Sequence, residues 1–249
     1  MKEKQRLFSL IAIFAIAGPP AVACAEEQVL CPRSDDSWAN FHPGTWARFE
    51  RFTTQGELKW NEKWKSTLLR VEEKQVVLKL EPEDGRAGEA KELPREIVTP
   101  WTVTWTEIGK ETLQLEGKDV ECRILERTHK KSKGTTRSWR GIVDGREIVL
   151  KAISHAEFPD GHVEDDHWRL LKAREELTVG GRKILCQVSE DIEDNDDGKG
   201  EKSKVTIKTW YTSEVPGGVV EQEKRGAAAD GKETVWTTKL TEFETVKEE

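Results

Sequence analysis

The strongest constraint on this chain is a pattern that it uses twice. Gly117, Cys122 and Glu126 stand 64 residues before Gly181, Cys186 and Glu190. Trp139 stands 71 residues before Trp210, so the later copy carries seven extra residues between its cysteine and its tryptophan. Each copy leaves its tryptophan through turn chemistry, Asp144-Gly145 in the first and Val215-Pro-Gly-Gly218 in the second, into Ile148-Val149 and Val219-Val220. Recurrence of several residue types in one order points to a structural unit used more than once. The repeated residues are those that a strand–turn–strand unit needs: Gly and Pro for turns, Cys and Trp for a packed face.

The rest of the chain reads in the same terms. Apolar residues alternate in Thr45–Phe52, Leu58–Arg70 and Gln75–Leu80, with Leu58, Trp60, Trp64 and Leu68 on one side of the long second segment. Residues 81–94 are polar, with Pro and Gly, and read as a loop. Ile97–Glu107 resumes the alternation through Trp101, Val103 and Trp105. Hairpin turns are expected at Asp160-Gly161 and Asp230-Gly231. Arg169–Leu177 has a helix-compatible composition, but its place in the copy favours a strand. No stretch sustains a 3.6-residue apolar period. The fold class is therefore mainly all-β, an antiparallel meander of tandem units forming a curved sheet or half-barrel, with little helix. The expected divisions are a signal peptide at 1–25, a lead-in at 26–44, and a β domain at 45–249 with units at about 45–107 (partial), 108–172 and 173–249.

Lys2, Lys4 and Arg6 precede an apolar run, Leu7–Ala17, broken by Gly18-Pro19-Pro20 and followed by small residues. This is the pattern of a secretory signal, and the run is too short to span a membrane. Ala23-Cys24-Ala25 fits a small-residue cleavage site, while Ala21-Val22-Ala23-Cys24 loosely fits a lipobox in which Cys24 is lipidated. Both processing routes lead to the periplasm or cell envelope, and lipidation at Cys24 is the one membrane attachment expected. The first 25 residues carry +2 of the net −7, so the remainder carries −9. With charged residues at 35% and no basic domain, a nucleic-acid partner is not expected. Cys31, Cys122 and Cys186 then remain. Export permits a disulfide among them, but Cys122 and Cys186 lie on apolar faces and read as buried small hydrophobes.

Three features invite chemistry. His155, His162 and His167 lie among Asp160, Glu164, Asp165 and Asp166, a ligand set suited to zinc or a similar ion. The corresponding later hairpin has Lys232 where His162 stands, so the framework does not require the cluster. The segment Glu190–Gly198 is rich in Asp and Asn and reads as an acidic loop. In an EF-hand register fixed by Gly198, Glu193, Asn195 and Asp197 take ligand positions, but Lys204 stands where the closing glutamate belongs. Ten tryptophans against one tyrosine suit either a buried sheet face or a ligand groove, and Trp60, Trp64, Trp101 and Trp105 are the groove candidates. No Ser/His/Asp set, HExxH, phosphate loop or dinucleotide fingerprint is present, so no catalytic residue and no cofactor is implied.

The run Trp38-Ala-Asn-Phe41-His-Pro-Gly44-Thr-Trp46, with the Gly–Cys186 … Trp210 … Val-Pro-Gly-Gly pattern, resembles uncharacterised exported proteins of planctomycete-type bacteria. That resemblance implies export and no known activity. More distantly, a long meander behind an export signal is similar to periplasmic lipoprotein-carrier folds, whose half-barrel shelters acyl chains. The combined expectation is an exported, non-enzymatic β protein of the cell envelope, a binding or structural module whose partner, an apolar ligand or an envelope protein, the sequence does not specify. The alternative is a carrier of an apolar, lipid-like ligand in a half-barrel groove, with a metal-dependent hydrolase as a third class.

Overall fold

The computed structural model describes residues 34–72, 75–85, 88–94, 105–129, 132–198, 202–227 and 232–246. The signal, Cys24, Cys31, Trp101 and the Asp230-Gly231 turn lie outside the described residues. Among the described residues, a short 3-10 helix, Ser34–Asn40, precedes thirteen strands. These are β1 (Trp46–Gln55), β2 (Leu58–Val71), β3 (Gln75–Pro82), β4 (Glu89–Pro94), β5 (Thr106–Leu115), β6 (Lys118–Thr128) and β7 (Lys133–Val143). They continue as β8 (Arg146–Glu157), β9 (Val163–Val179), β10 (Arg182–Asp196), β11 (Lys202–Tyr211), β12 (Val219–Ala227) and β13 (Glu233–Glu244).

All thirteen strands belong to one antiparallel sheet, in the order β4-β3-β2-β1-β13-β12-β11-β10-β9-β8-β7-β6-β5. Chain neighbours pair at every step except β4–β5, β1 pairs with β13, and the consecutive strands β4 and β5 are the two edges. The sheet curves strongly, which brings non-adjacent strands together. A Cβ on Gly180, in the turn that follows β9, would lie 3.7 Å from the Glu242 Cα of β13, although β10, β11 and β12 separate β9 from β13 in the sheet. The Ala173 N–H of β9 donates to Glu116 Oε2 at the β5–β6 turn over 3.0 Å.

The two cysteine-bearing units have one register. Leu115 pairs with Lys118 and Glu111 with Cys122; Val179 pairs with Arg182 and Glu175 with Cys186. Trp139 pairs with Ile124, two residues beyond its cysteine, and Trp210 pairs with Val188 in the same relation. Even the bulge recurs. Trp139 faces Lys151 and the next pair is Arg140–Val149; Trp210 faces Glu221 and the next pair is Tyr211–Val219. The skipped residues, Leu150 and Val220, are both buried. A bulge inserts an unpaired residue and bends its strand, and here it does so at the same point in each unit.

Two apolar clusters result. One gathers Trp38, Ala47, Leu68, Val76, Val179, Ile184, Cys186 and Leu240 with their neighbours. The other gathers Leu115, Cys122, Trp139, Leu150, Trp168 and Leu170. Among the described residues, Cys122 and Cys186 are free, buried thiols, one in each cluster. Burial pushes the Cys186 thiol up to about 11 and raises Cys122 as well.

Two expectations are corrected. Residues 81–94 contain β4, an edge strand ending in proline, where the missing N–H costs the ladder least. The acidic segment is not a loop up to Gly198, because β10 runs through Asp196 and pairs on both sides, with β9 and β11. A doubly paired strand satisfies its own backbone, and that outweighs the poor strand propensity of Asp and Asn. Glu193 and Asn195 therefore stand in extended backbone, not in a curled ion-binding loop. Arg169–Leu177 is strand, within β9.

Candidate functional site

The extension of β10 assembles a site. Cross-strand partners share a face of a sheet. One row of partners runs Arg127, Thr136, Ser154, Asp166, Glu193 and Val205 across β6 to β11. The next row runs Leu125, Ser138, Ala152, Trp168, Asp191, Ile207 and Lys224. Leu125, Thr136, Ser138, Trp168 and Asp191 are all buried, so this is the inner face. Three carboxylates, Asp166, Asp191 and Glu193, thus lie together on it.

The electrostatics follow from that placement. Burial, with the charges of Asp166 and Glu193, raises the Asp191 carboxyl to about 7. Burial, with Glu193, Glu164 and Asp165, raises Asp166 to about 6. Burial also raises Glu193, against the pull of Lys224. Desolvation and like charge both disfavour the ionised form. Asp191 is only 9% exposed, and its Oδ1 makes no hydrogen bond among the described residues. A cleft of about 50 Å³ lies against it, walled by Trp168, Asp166, Arg127, Ala152 and the hydroxyl residues Thr136 and Ser154. The hydroxyls are linked: Thr136 Oγ1 lies 3.1 Å from Ser154 Oγ and 2.7 Å from His129 Nε2. Burial, then Arg127 and His155, hold His129 below its ordinary range. The arrangement suits capture of a small cationic or hydrogen-bond-donating group: unpaired carboxylate oxygen, hydroxyls and an indole wall meet at one place.

The residues singled out from sequence fall elsewhere. His155 Nδ1 lies 2.6 Å from Asp165 Oδ1, and that contact raises its pKa. His162 Nε2 lies 3.0 Å from Glu164 Oε1 at the β8–β9 hairpin. His167 pairs with Ile153 and Ile192, in a row that alternates with the inner-face rows. Among the described residues, no group of three His, Cys, Asp or Glu is placed to hold a metal ion. Trp64 stacks on Phe49 at 5.5 Å and lies under Arg51, whereas Trp60 is 42% exposed. The Arg127 and Arg140 guanidinium groups both lie over the Trp105 ring, at 5.1 and 5.5 Å. Asp191 and Glu193 were concealed because alternation is sought in apolar residues. On a polar inner face the period-2 signal is carried by Ser189, Asp191 and Glu193.

No protein-family model matches the chain, and no curated protein sequence matches it. Among solved structures, a protein of Bacteroides fragilis described as exported and YmcC-like in fold is 8% identical, with a TM-score of 0.36, over 82% of this chain and 97% of that one. The hypothetical lipoprotein YmcC of Escherichia coli is 12% identical, with a TM-score of 0.26, over 78% and 87%. The MucA/MucB complex of Pseudomonas aeruginosa gives 11% and 0.17 over 82% and 90%. At these scores no residue role is transferred.

Proposed function

We propose that the chain is an exported, non-enzymatic protein of the cell envelope that acts by binding, and that the inner-face strip around Asp191 receives a cationic group of its ligand. The single observation behind this reading is the unpartnered, buried Asp191 oxygen beside a cleft. The Ile192 N–H engages this carboxyl, but its buried Oδ1 has no hydrogen bond among the described residues; a buried acceptor left unpaired is costly, and a ligand's ammonium or guanidinium would remove that cost. The basic-then-apolar start of the sequence supports export. The alternative, an apolar-ligand carrier, draws on Leu58 and Trp60, which are both exposed and share one side of β2. The polar rows described above favour the first reading. Native mass spectrometry of the protein purified from its host envelope separates the two. The binding reading expects an amine- or guanidinium-bearing molecule on the wild type that is lost from Asp191→Asn. Identical spectra from both proteins would refute it, and a bound acyl lipid lost on Trp60→Ala would favour the carrier.

A further inference from the structure

A second pocket, of about 390 Å³, lies at the end of β5–β9 and does not depend on the acidic strip. Its apolar wall is Leu115, Val120, Val143 and Ala173. Lys118, Glu116, Asp144 and Arg174 form its rim. The size is that of a ligand site. The shared register identifies its counterpart in the later unit: Leu115 and Val120 correspond to Val179 and Ile184, since Leu113–Val120 and Leu177–Ile184 pair alike. That counterpart is filled by the chain's own lead-in. Trp38, 5% exposed, packs in one cluster with Val179, Ile184, Val215 and Val220. The Val215-Pro-Gly-Gly turn forms the wall: a Cβ on Gly217 would lie 2.9 Å from Trp38 Nε1, and one on Gly218 would lie 3.3 Å from Ser37 Cβ. At the earlier pocket the corresponding turn glycine, Gly145, meets nothing within 4 Å.

We infer that the earlier pocket is a docking seat for a segment of another polypeptide, carrying an aromatic residue preceded by an acidic one, in the manner of Asp36-Ser-Trp38. The aromatic part follows from the filled counterpart. The acidic part follows from the rim. The Glu116 carboxylate is engaged by the Ala173 N–H, and Asp144 lies 3.3 Å from Arg174. Among the described rim residues, Lys118 is the cation outside an ion pair, and it is the group that would meet an incoming carboxylate.

The test uses the processed protein and a synthetic peptide of residues 34–44 as probe, followed by amide chemical shifts. The expected result is saturable binding with shifts centred on Leu115, Val120 and Val143, weakened at least tenfold when the peptide's tryptophan is alanine. Lys118→Glu, an exposed change that leaves the fold intact, should weaken binding several-fold. Val143→Trp, which fills the pocket, should abolish it. No binding at millimolar peptide, or shifts centred on Val179 and Ile184, would overturn the proposal. So would a dimer of the chain that Val143→Trp dissociates, because the occupant would then be a second copy. Failure here leaves the Asp191 reading untouched, since the two sites share no residue.

Discussion

At the residue scale, Asp191 concentrates the tension in this fold. Its carboxyl titrates near 7 in the folded chain against an ordinary value of 3.8. Between those values the folded chain holds a proton that the unfolded chain has lost. Stability contributed by Asp191 is therefore present below about pH 4, falls as pH rises toward 7, and changes little above it. Asp191→Asn removes the penalty. It should stabilise the protein at pH 8 by on the order of 2 kcal/mol, roughly 4–8 °C in Tm, and have little effect at pH 4. Thermal melts of both proteins across pH check the size and the direction. Gly217 carries a different constraint. Its φ of +82° and its closeness to the Trp38 indole both exclude a side chain. Gly217→Ala should cost about 2 kcal/mol or more in urea unfolding. The positive φ was legible in Val-Pro-Gly-Gly; the contact with Trp38 was not, because the two are far apart in sequence.

At the element scale, β10 separates what sequence pattern can disclose from what it cannot. Ile184, Cys186 and Val188 announce their strand by alternation, and they are buried as expected. Beyond Ser189 the inner-facing residues become acidic, so an apolar period disappears although the backbone continues. What keeps it extended is pairing on both edges, Glu193 with Asp166 on one side and Val205 on the other, and a non-local partner leaves no trace in local composition. Glu193→Pro tests this directly. In a doubly paired strand it removes a ladder hydrogen bond and should cost about 3 kcal/mol or more. In a loop it would be tolerated, and a melt unchanged within about 0.5 kcal/mol would contradict the strand assignment. β4 was missed for a related reason. An edge strand of charged residues closing on proline has the composition of a loop.

At the scale of the whole molecule, the all-β meander was legible because chain neighbours pair at every step except β4–β5 and most turns carry Gly, Pro or Asp. The β1–β13 pairing was not, since it joins the two ends of the β region through no local signal. It also makes the last strand integral to the sheet. Deleting residues 233–249 strips partners from both β1 and β12 and should abolish cooperative unfolding by circular dichroism, whereas trimming only residues 247–249 should not. The curvature of this open sheet turns a row of ordinary polar residues into a sheltered inner face, and the central claim is that three carboxylates meet there. Carboxyl-detected NMR titration of the intact protein measures that most directly. The structure predicts midpoints near 7 for Asp191 and near 6 for Asp166, with the Asp191 midpoint falling in Asp166→Asn. Midpoints for both groups near the ordinary aspartate value, about 4, indifferent to each other's removal, would contradict it.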